Sequence, residues 1–117
     1  MRAFIFVTAV VLFTACDPMP SQVTIKSEHT SPDGKHVATA FIRDSGATTS
    51  WSPQVELRRV GQRAAKYGNV FLGYGSPNVD TEWLSPSWLV VYCDTNCHVD
   101  VFVTNQDGIT VEMRHHR

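Results

Sequence analysis

The segment Ser31-Pro-Asp-Gly-Lys-His-Val-Ala-Thr-Ala-Phe-Ile-Arg43 indicates the fold class of this 117-residue chain. It opens on a turn signal, because proline presets φ, aspartate bonds to its own backbone and glycine accepts a positive φ. A β-rich run then follows to Arg43, with apolar side chains on both of its faces. That pattern predicts a strand covered on each side, with one face made by Ala38, Ala40 and Ile42 and the other by Val37, Thr39 and Phe41.

Further short strands are predicted along the rest of the chain, at Val23–Lys26, Val55–Arg59, Asn69–Gly73, Val79–Leu84 and Trp88–Tyr92. Gly61 to Gly68 is compatible with one helical turn or with a loop. The three tryptophans, Trp51, Trp83 and Trp88, are predicted to be core or sheet-packing residues rather than a ligand platform. Strands of this length joined by turn signals predict an all-β domain over residues 23–114, a small antiparallel β-sandwich or barrel-like fold.

The end of the chain predicts a β-hairpin. Apolar residues alternate up to the turn Asn105-Gln-Asp-Gly108 and alternate again beyond it. Pairing the two segments would bury six side chains on one face: Val99, Val101, Val103, Ile109, Val111 and Met113.

The first fifteen residues have the layout of a secretory signal peptide. Arg2 precedes an uncharged stretch, Ala3 to Ala15, which ends in small residues directly before Cys16. Phe13-Thr-Ala-Cys16 resembles a bacterial lipobox, which implies acylation of Cys16 (palmitate among the chains) and a new N-terminus there. Two or more acyl chains anchor a protein stably. We therefore expect a signal peptide at 1–15, a lipidated tether at 16–22 and no cofactor besides the lipid.

Asp17 and the overall charge bear on location and partners. Asp17 resembles the signal that retains lipoproteins on the inner membrane, which implies a periplasm-facing domain. Without Arg2, nine basic residues face eleven acidic ones, and no basic stripe is present. Nucleic acid is therefore not an expected partner, whereas the membrane and an envelope protein are.

Several motifs resemble DUF5412, a family of small uncharacterised bacterial proteins. They are Ser31-Pro-Asp-Gly-Lys35, Phe41-Ile-Arg-Asp44, Gly46-Ala-Thr-Thr49, Gly68-Asn-Val-Phe71 and Asp107-Gly-Ile109. The resemblance covers roughly Val23 to Val111 and implies a fold but no activity. A paired Cys93 and Cys97 is not a feature that the resemblance implies.

The segment from Arg43 to Thr49 is a candidate binding surface. Its charged pair and hydroxyls suit an anion or a sugar, and loops on rigid scaffolds often carry function. Arg43, Asp44, Thr48 and Thr49 are the candidate residues. The alternative is a strand end followed by a turn, with hydroxyls bonding to nearby amides.

Cys93-Asp-Thr-Asn-Cys97-His98 allows four interpretations. An oxidising envelope favours a local disulfide at a hairpin end, worth about 1–2 kcal/mol for so small a loop. Zinc or copper could instead bind Cys93, Cys97 and His98, although a closed zinc site takes four ligands. Haem attachment normally needs Cys-x-x-Cys-His, one residue shorter. A redox pair would lack the helix start that stabilises a thiolate.

Catalytic motifs are otherwise missing from the sequence, since neither Gly-x-Ser-x-Gly nor His-Glu-x-x-His occurs. The sequence thus favours a non-enzymatic, membrane-anchored binding or accessory module. One alternative is a periplasmic inhibitor of a cell-wall enzyme, because Ser45-Gly-Ala47 faintly resembles a loop of small lipid-anchored inhibitors of this kind. Another is a metal or redox protein centred on Cys93, Cys97 and His98.

Overall fold

The computed structural model describes residues 22–44 and 51–115, and within these ranges the chain forms nine β-strands and no helix. The predicted all-β class is therefore confirmed. The strands are β1 (Gln22–Thr30), β2 (His36–Asp44), β3 (Ser52–Arg59), β4 (Phe71–Tyr74), β5 (Val79–Ser85), β6 (Trp88–Cys93), β7 (His98–Phe102), β8 (Asn105–Gln106) and β9 (Ile109–His115).

The strands make two packed sheets. The first sheet has the order β1-β2-β3-β4-β7 and is antiparallel throughout. The second has the order β5-β6-β9-β8, and in it β6 and β9 run parallel.

No helix in the part of the chain that the structure describes is long and apolar enough to span a membrane.

The core lies between the two sheets, where β2 and β3 supply small and branched side chains in register. Ala38 lies opposite Leu57, and Ala40 lies opposite Val55. Phe71 joins them from β4, and the second sheet adds buried residues of β6 and β9, namely Leu89, Val91, Ile109 and Val111. Residues 37–43 are all buried, which confirms that β2 is covered on both faces.

The turn between β1 and β2 has the predicted chemistry. The Gly34 N–H donates to the Ser31 carbonyl at 2.8 Å, and Gly34 has a φ of 73°. The Asp33 carboxylate accepts from the Lys35 N–H at 3.2 Å, as an Asx turn requires. The β1–β2 pair is therefore fixed in register by the sequence that marks its turn.

The predicted C-terminal hairpin is wrong in its pairing. The turn itself is present, since Gln106 pairs with Ile109 and Asp107 and Gly108 both have positive φ, as in a type I′ turn. However, β7 pairs with β4 in the first sheet, while β9 pairs with β6 in the second. Val99 and Val101 are consequently 39% and 43% exposed on an edge strand. Alternation indicates which side chains share a face, but not which strand is the neighbour.

Two other sequence-based expectations are resolved by the structure. Gly61 to Gly68 forms a loop without helix. Trp51 and Trp88 are 46% and 40% exposed, so neither lies in the core, although Trp88 is part of β6 in the second sheet. Trp83 does pack against the core, and its Nε1 donates to the His29 carbonyl at 2.9 Å.

Antiparallel pairing gives the first sheet two distinct ends. At the end that we call the Gln22 end, Gln22 lies opposite Asp44, and the Gly75 N–H donates to the Trp51 carbonyl. At the opposite end, the His36 end, His36 lies opposite Arg59. The nine residues of β1 connect the two ends, a distance of about 27 Å at the usual rise per residue.

Candidate functional site

A polar cleft of about 790 Å³ lies at the His36 end. It is bounded by the start of β2, the end of β3, the loop after β3 and the β8–β9 turn. The charged groups in its lining are Glu56, Arg58, Arg59, Arg63 and Asp107, together with His36. The site therefore combines residues from both sheets.

Asp107 links the two sheets at the rim of this cleft. The Arg59 guanidinium donates from Nε to one Asp107 oxygen at 2.8 Å and from Nη2 to the other at 2.9 Å. The His36 Nε2 lies 2.9 Å from Asp107 Oδ2. Hydrogen bonds from Arg59, followed by the one from His36, hold the pKa of Asp107 well below its usual range. Because charge-assisted bidentate pairs fix geometry, this cluster closes the sandwich at one corner.

The geometry of His36 does not suit a general base. Its Nε2 is engaged by Asp107, while its Nδ1 is buried and has no hydrogen-bond partner. A general base needs a free nitrogen within reach of the proton that it removes. His36 is thus a positioning residue for the Asp107 turn.

The floor of the cleft is a buried ion pair between Glu56 and Arg58, neighbours on one face of β3. The Glu56 side chain is 3% exposed and that of Arg58 18%. Glu56 also accepts the Ala65 N–H, and Arg58 donates to the Thr39 hydroxyl at 3.1 Å. The sequence pattern placed both side chains on a polar face, but it gave no sign that a loop covers this face.

The loop of residues 60–69 is fixed to β3 by further hydrogen bonds. The Asn69 side chain bonds to both backbone groups of Leu57, at 2.7 and 2.8 Å. The Gly68 N–H donates to the Gln54 side-chain oxygen at 2.8 Å. Because the backbone of the loop is attached at several points, the wall of the cleft is built before any ligand arrives.

Of the surface predicted at Arg43 to Thr49, the structure describes only Arg43 and Asp44. Arg43 is buried, donates to the Lys66 carbonyl and stacks on Tyr67 with its guanidinium carbon 4.6 Å from the ring centroid. Arg43 is thus not an exposed side chain, and the binding role predicted for this segment stays a prediction. Asp44 is half-buried at the Gln22 end. Thr48 and Thr49 lie outside the described residues, as do Cys16 and Asp17.

Cys93 and Cys97 form the predicted disulfide, with their Cα atoms 6.2 Å apart. The sequence predicts that this disulfide closes a hairpin, but in the structure it spans the crossing from β6 in the second sheet to β7 in the first. The bond engages both sulfur atoms that a zinc or copper site would need. Among residues 22–44 and 51–115, no group of three or more His, Cys, Asp and Glu side chains is placed to hold a metal.

Sequence reasoning missed the cleft because its members are distant along the chain. His36 and Asp107 are 71 positions apart, and Arg59 and Asp107 are 48 apart. The only local signal was the Asp-Gly turn, which fixes the backbone but does not reveal the partners of the Asp107 carboxylate. The β2–β3 register then brings His36 and Arg59 to the same place.

Fold and site together define a small all-β domain of two packed sheets with a charged cleft at one end. Its sequence matches the model of the "Family of unknown function (DUF5412)" over residues 3–107, and the chain belongs to this family. His36, Arg59 and Asp107 all fall within the matched range. Neither a curated protein nor a solved structure gives a significant match.

Proposed function

We propose that this protein is a lipid-anchored, non-enzymatic binding module that faces the periplasm and presents the cleft at its His36 end to an envelope partner. Acylated Cys16 is its attachment to the membrane, and Asp17 favours the inner membrane. The cleft, rather than the surface around Arg43, is the contact site in this proposal.

The distance between the anchor position and the cleft carries the proposal. β1 begins at Gln22, only six residues after Cys16, and six residues span at most about 20 Å. The cleft lies at the other end of the same sheet, about 27 Å further along β1. A partner in the envelope can therefore reach the cleft while the Gln22 end stays next to the lipid.

The chemistry of the cleft supports binding over catalysis. Both oxygens of Asp107 are engaged by Arg59, and both oxygens of Glu56 are engaged by Arg58 and the Ala65 N–H. Neither carboxylate is positioned to act as an acid or a base on a ligand. What the cleft offers a ligand is charge, hydrogen-bond donors and a preformed shape.

Site-specific cross-linking in cells tests both parts of the proposal. A photo-reactive residue replaces Val60, which is 54% exposed beside the cleft, and in a matched variant it replaces exposed Gln22. We expect cross-links to an envelope component from position 60 and not from position 22. Equal cross-linking from both positions would contradict the assignment of the cleft.

Intact mass of the purified protein tests the anchor separately. A diacyl or triacyl increment on a chain that starts at Cys16 is expected, and the Cys16→Ser variant should lack it. A wild-type chain without this increment would refute membrane attachment through lipid, whatever the cross-linking shows.

A further inference from the structure

We infer that the cleft is an anion-binding site that takes a phosphate or carboxylate group through Arg63 and Arg59. This inference rests on the proposed function, since it specifies the chemical group that the partner presents. Its chemistry follows from the charges that the cleft leaves uncompensated.

The charges in the lining do not cancel. Glu56 is paired with Arg58, and Asp107 is paired with Arg59. Arg63 is exposed and has no hydrogen bond or ion pair with any described residue. The cleft therefore keeps one guanidinium whose charge and donors are free for a ligand.

Arg59 has hydrogen-bond donors to spare as well. A guanidinium carries five N–H groups, and Asp107 occupies only Nε and one position on Nη2. The Arg59 side chain remains 63% exposed, so the other donors are open to the cleft. Its position is held by Asp107, which lowers the ordering cost when an anion binds.

The same bonds argue against a cation in this cleft. Asp107 Oδ2 already accepts from Arg59 and lies within hydrogen-bond distance of His36, and Oδ1 accepts from Arg59. Glu56 is buried beneath Arg58 and the loop. Every carboxylate oxygen of Glu56 and Asp107 thus already accepts a hydrogen bond, whereas the guanidinium groups of Arg59 and Arg63 keep donors for an oxyanion.

Titration of the full chain in a non-ionic detergent, followed by amide NMR shifts, tests the inference. The probes are inorganic phosphate and glucuronate, which separate a phosphate-bearing source from a sugar carboxylate. The variants are Arg63→Gln and, as a control, Lys26→Gln, which removes the same charge from an exposed position on β1. Both substituted side chains are exposed, so both variants are expected to fold.

We expect at least one probe to shift the amides of residues 59–65 and 107, with a dissociation constant on the order of 1 mM. Arg63→Gln should weaken binding about tenfold, and Lys26→Gln should leave it unchanged. Shifts that are absent with both probes, or that are equal in Arg63→Gln and wild type, would overturn the anion site. Cross-linking from position 60 would still report on the proposed function, so the two failures can be distinguished.

Discussion

The ion pair under the cleft gives a sharp test of how this small domain is stabilised. Glu56→Gln preserves the shape of the side chain and one acceptor oxygen but removes the charge that Arg58 faces. Breaking a buried pair by removing one partner generally costs about 3–5 kcal/mol. Here Arg58 is still 18% exposed, bonds to Thr39 and has a Glu28 oxygen 4.0 Å away. We therefore expect a smaller loss of unfolding free energy, about 2–3 kcal/mol.

Thermal and denaturant unfolding, with the disulfide intact, would measure this loss. For a domain of this size the expected loss corresponds to a fall in Tm of about 8–24 °C. Glu112→Gln is the matched control, because Glu112 and Arg114 form an ion pair whose side chains are 36% and 45% exposed. The control should change stability by less than about 1 kcal/mol.

Two further readouts identify the cause. In Glu56→Gln the Ala65 amide should exchange faster with solvent, because its acceptor loses charge. The double variant with Arg58→Gln should be more stable than the sum of the single losses indicates, since it leaves no unpaired charge. If Glu56→Gln costs no more than Glu112→Gln, the reasoning about the buried pair is refuted.

Three other perturbations have defined outcomes. Asp107→Asn should destabilise the protein near neutral pH, and the difference from wild type should shrink as pH falls below about 4. The folded pKa of Asp107 is lowered, so the stability that its carboxylate contributes is present above the unfolded pKa and is lost on acidification. A difference in unfolding free energy that is constant with pH would contradict this. Replacing Cys93 and Cys97 together by serine should lower the unfolding free energy by only about 2 kcal/mol, because the loop that the disulfide closes is short. Denaturant curves that coincide with those of the wild type would show that the disulfide adds no stability. Gly68→Ala should lower the unfolding free energy by about 1–3 kcal/mol or more in the same measurement. The added Cβ would lie 2.5 Å from the Phe71 carbonyl oxygen and 2.8 Å from the Val55 carbonyl oxygen. An unchanged stability would mean that this backbone can shift freely.

The sequence predicts the local features of the fold but not which strands pair with each other. Ser31-Pro-Asp-Gly34 specified a turn, and the apolar run of β2 specified a strand covered on both faces, because both signals depend on residues close together in the chain. The partner of β9 depends on which strand is nearest in space. Ile109 and Val111 alternate in the same way whether β9 pairs with β7 or with β6.

In the candidate site, too, the sequence predicts local features but not the contacts between distant residues. The Cys93–Cys97 disulfide was predicted because the short spacing of the two cysteines and the expected oxidising compartment limit what they can do. The burial of Arg43 was not predicted, because a charged residue at a strand end is usually exposed, whereas here Arg43 contacts Tyr67 and the Lys66 carbonyl. Alternation along β3 places Glu56 and Arg58 on one face, but nothing in the sequence shows that the following loop folds back over that face.

The parallel pairing of β6 with β9 also makes completion of this core depend on the last described strand. After β6 the chain crosses to the first sheet as β7 and returns only with β8 and β9. Ile109 and Val111, both 2% exposed, lie in the last described strand, so the core stays incomplete until β9 pairs with β6. Until β9 pairs, one edge of β6 has no neighbour, and an unpaired strand edge promotes association between chains. Aggregation is therefore expected most in states in which β9 is not yet placed beside β6.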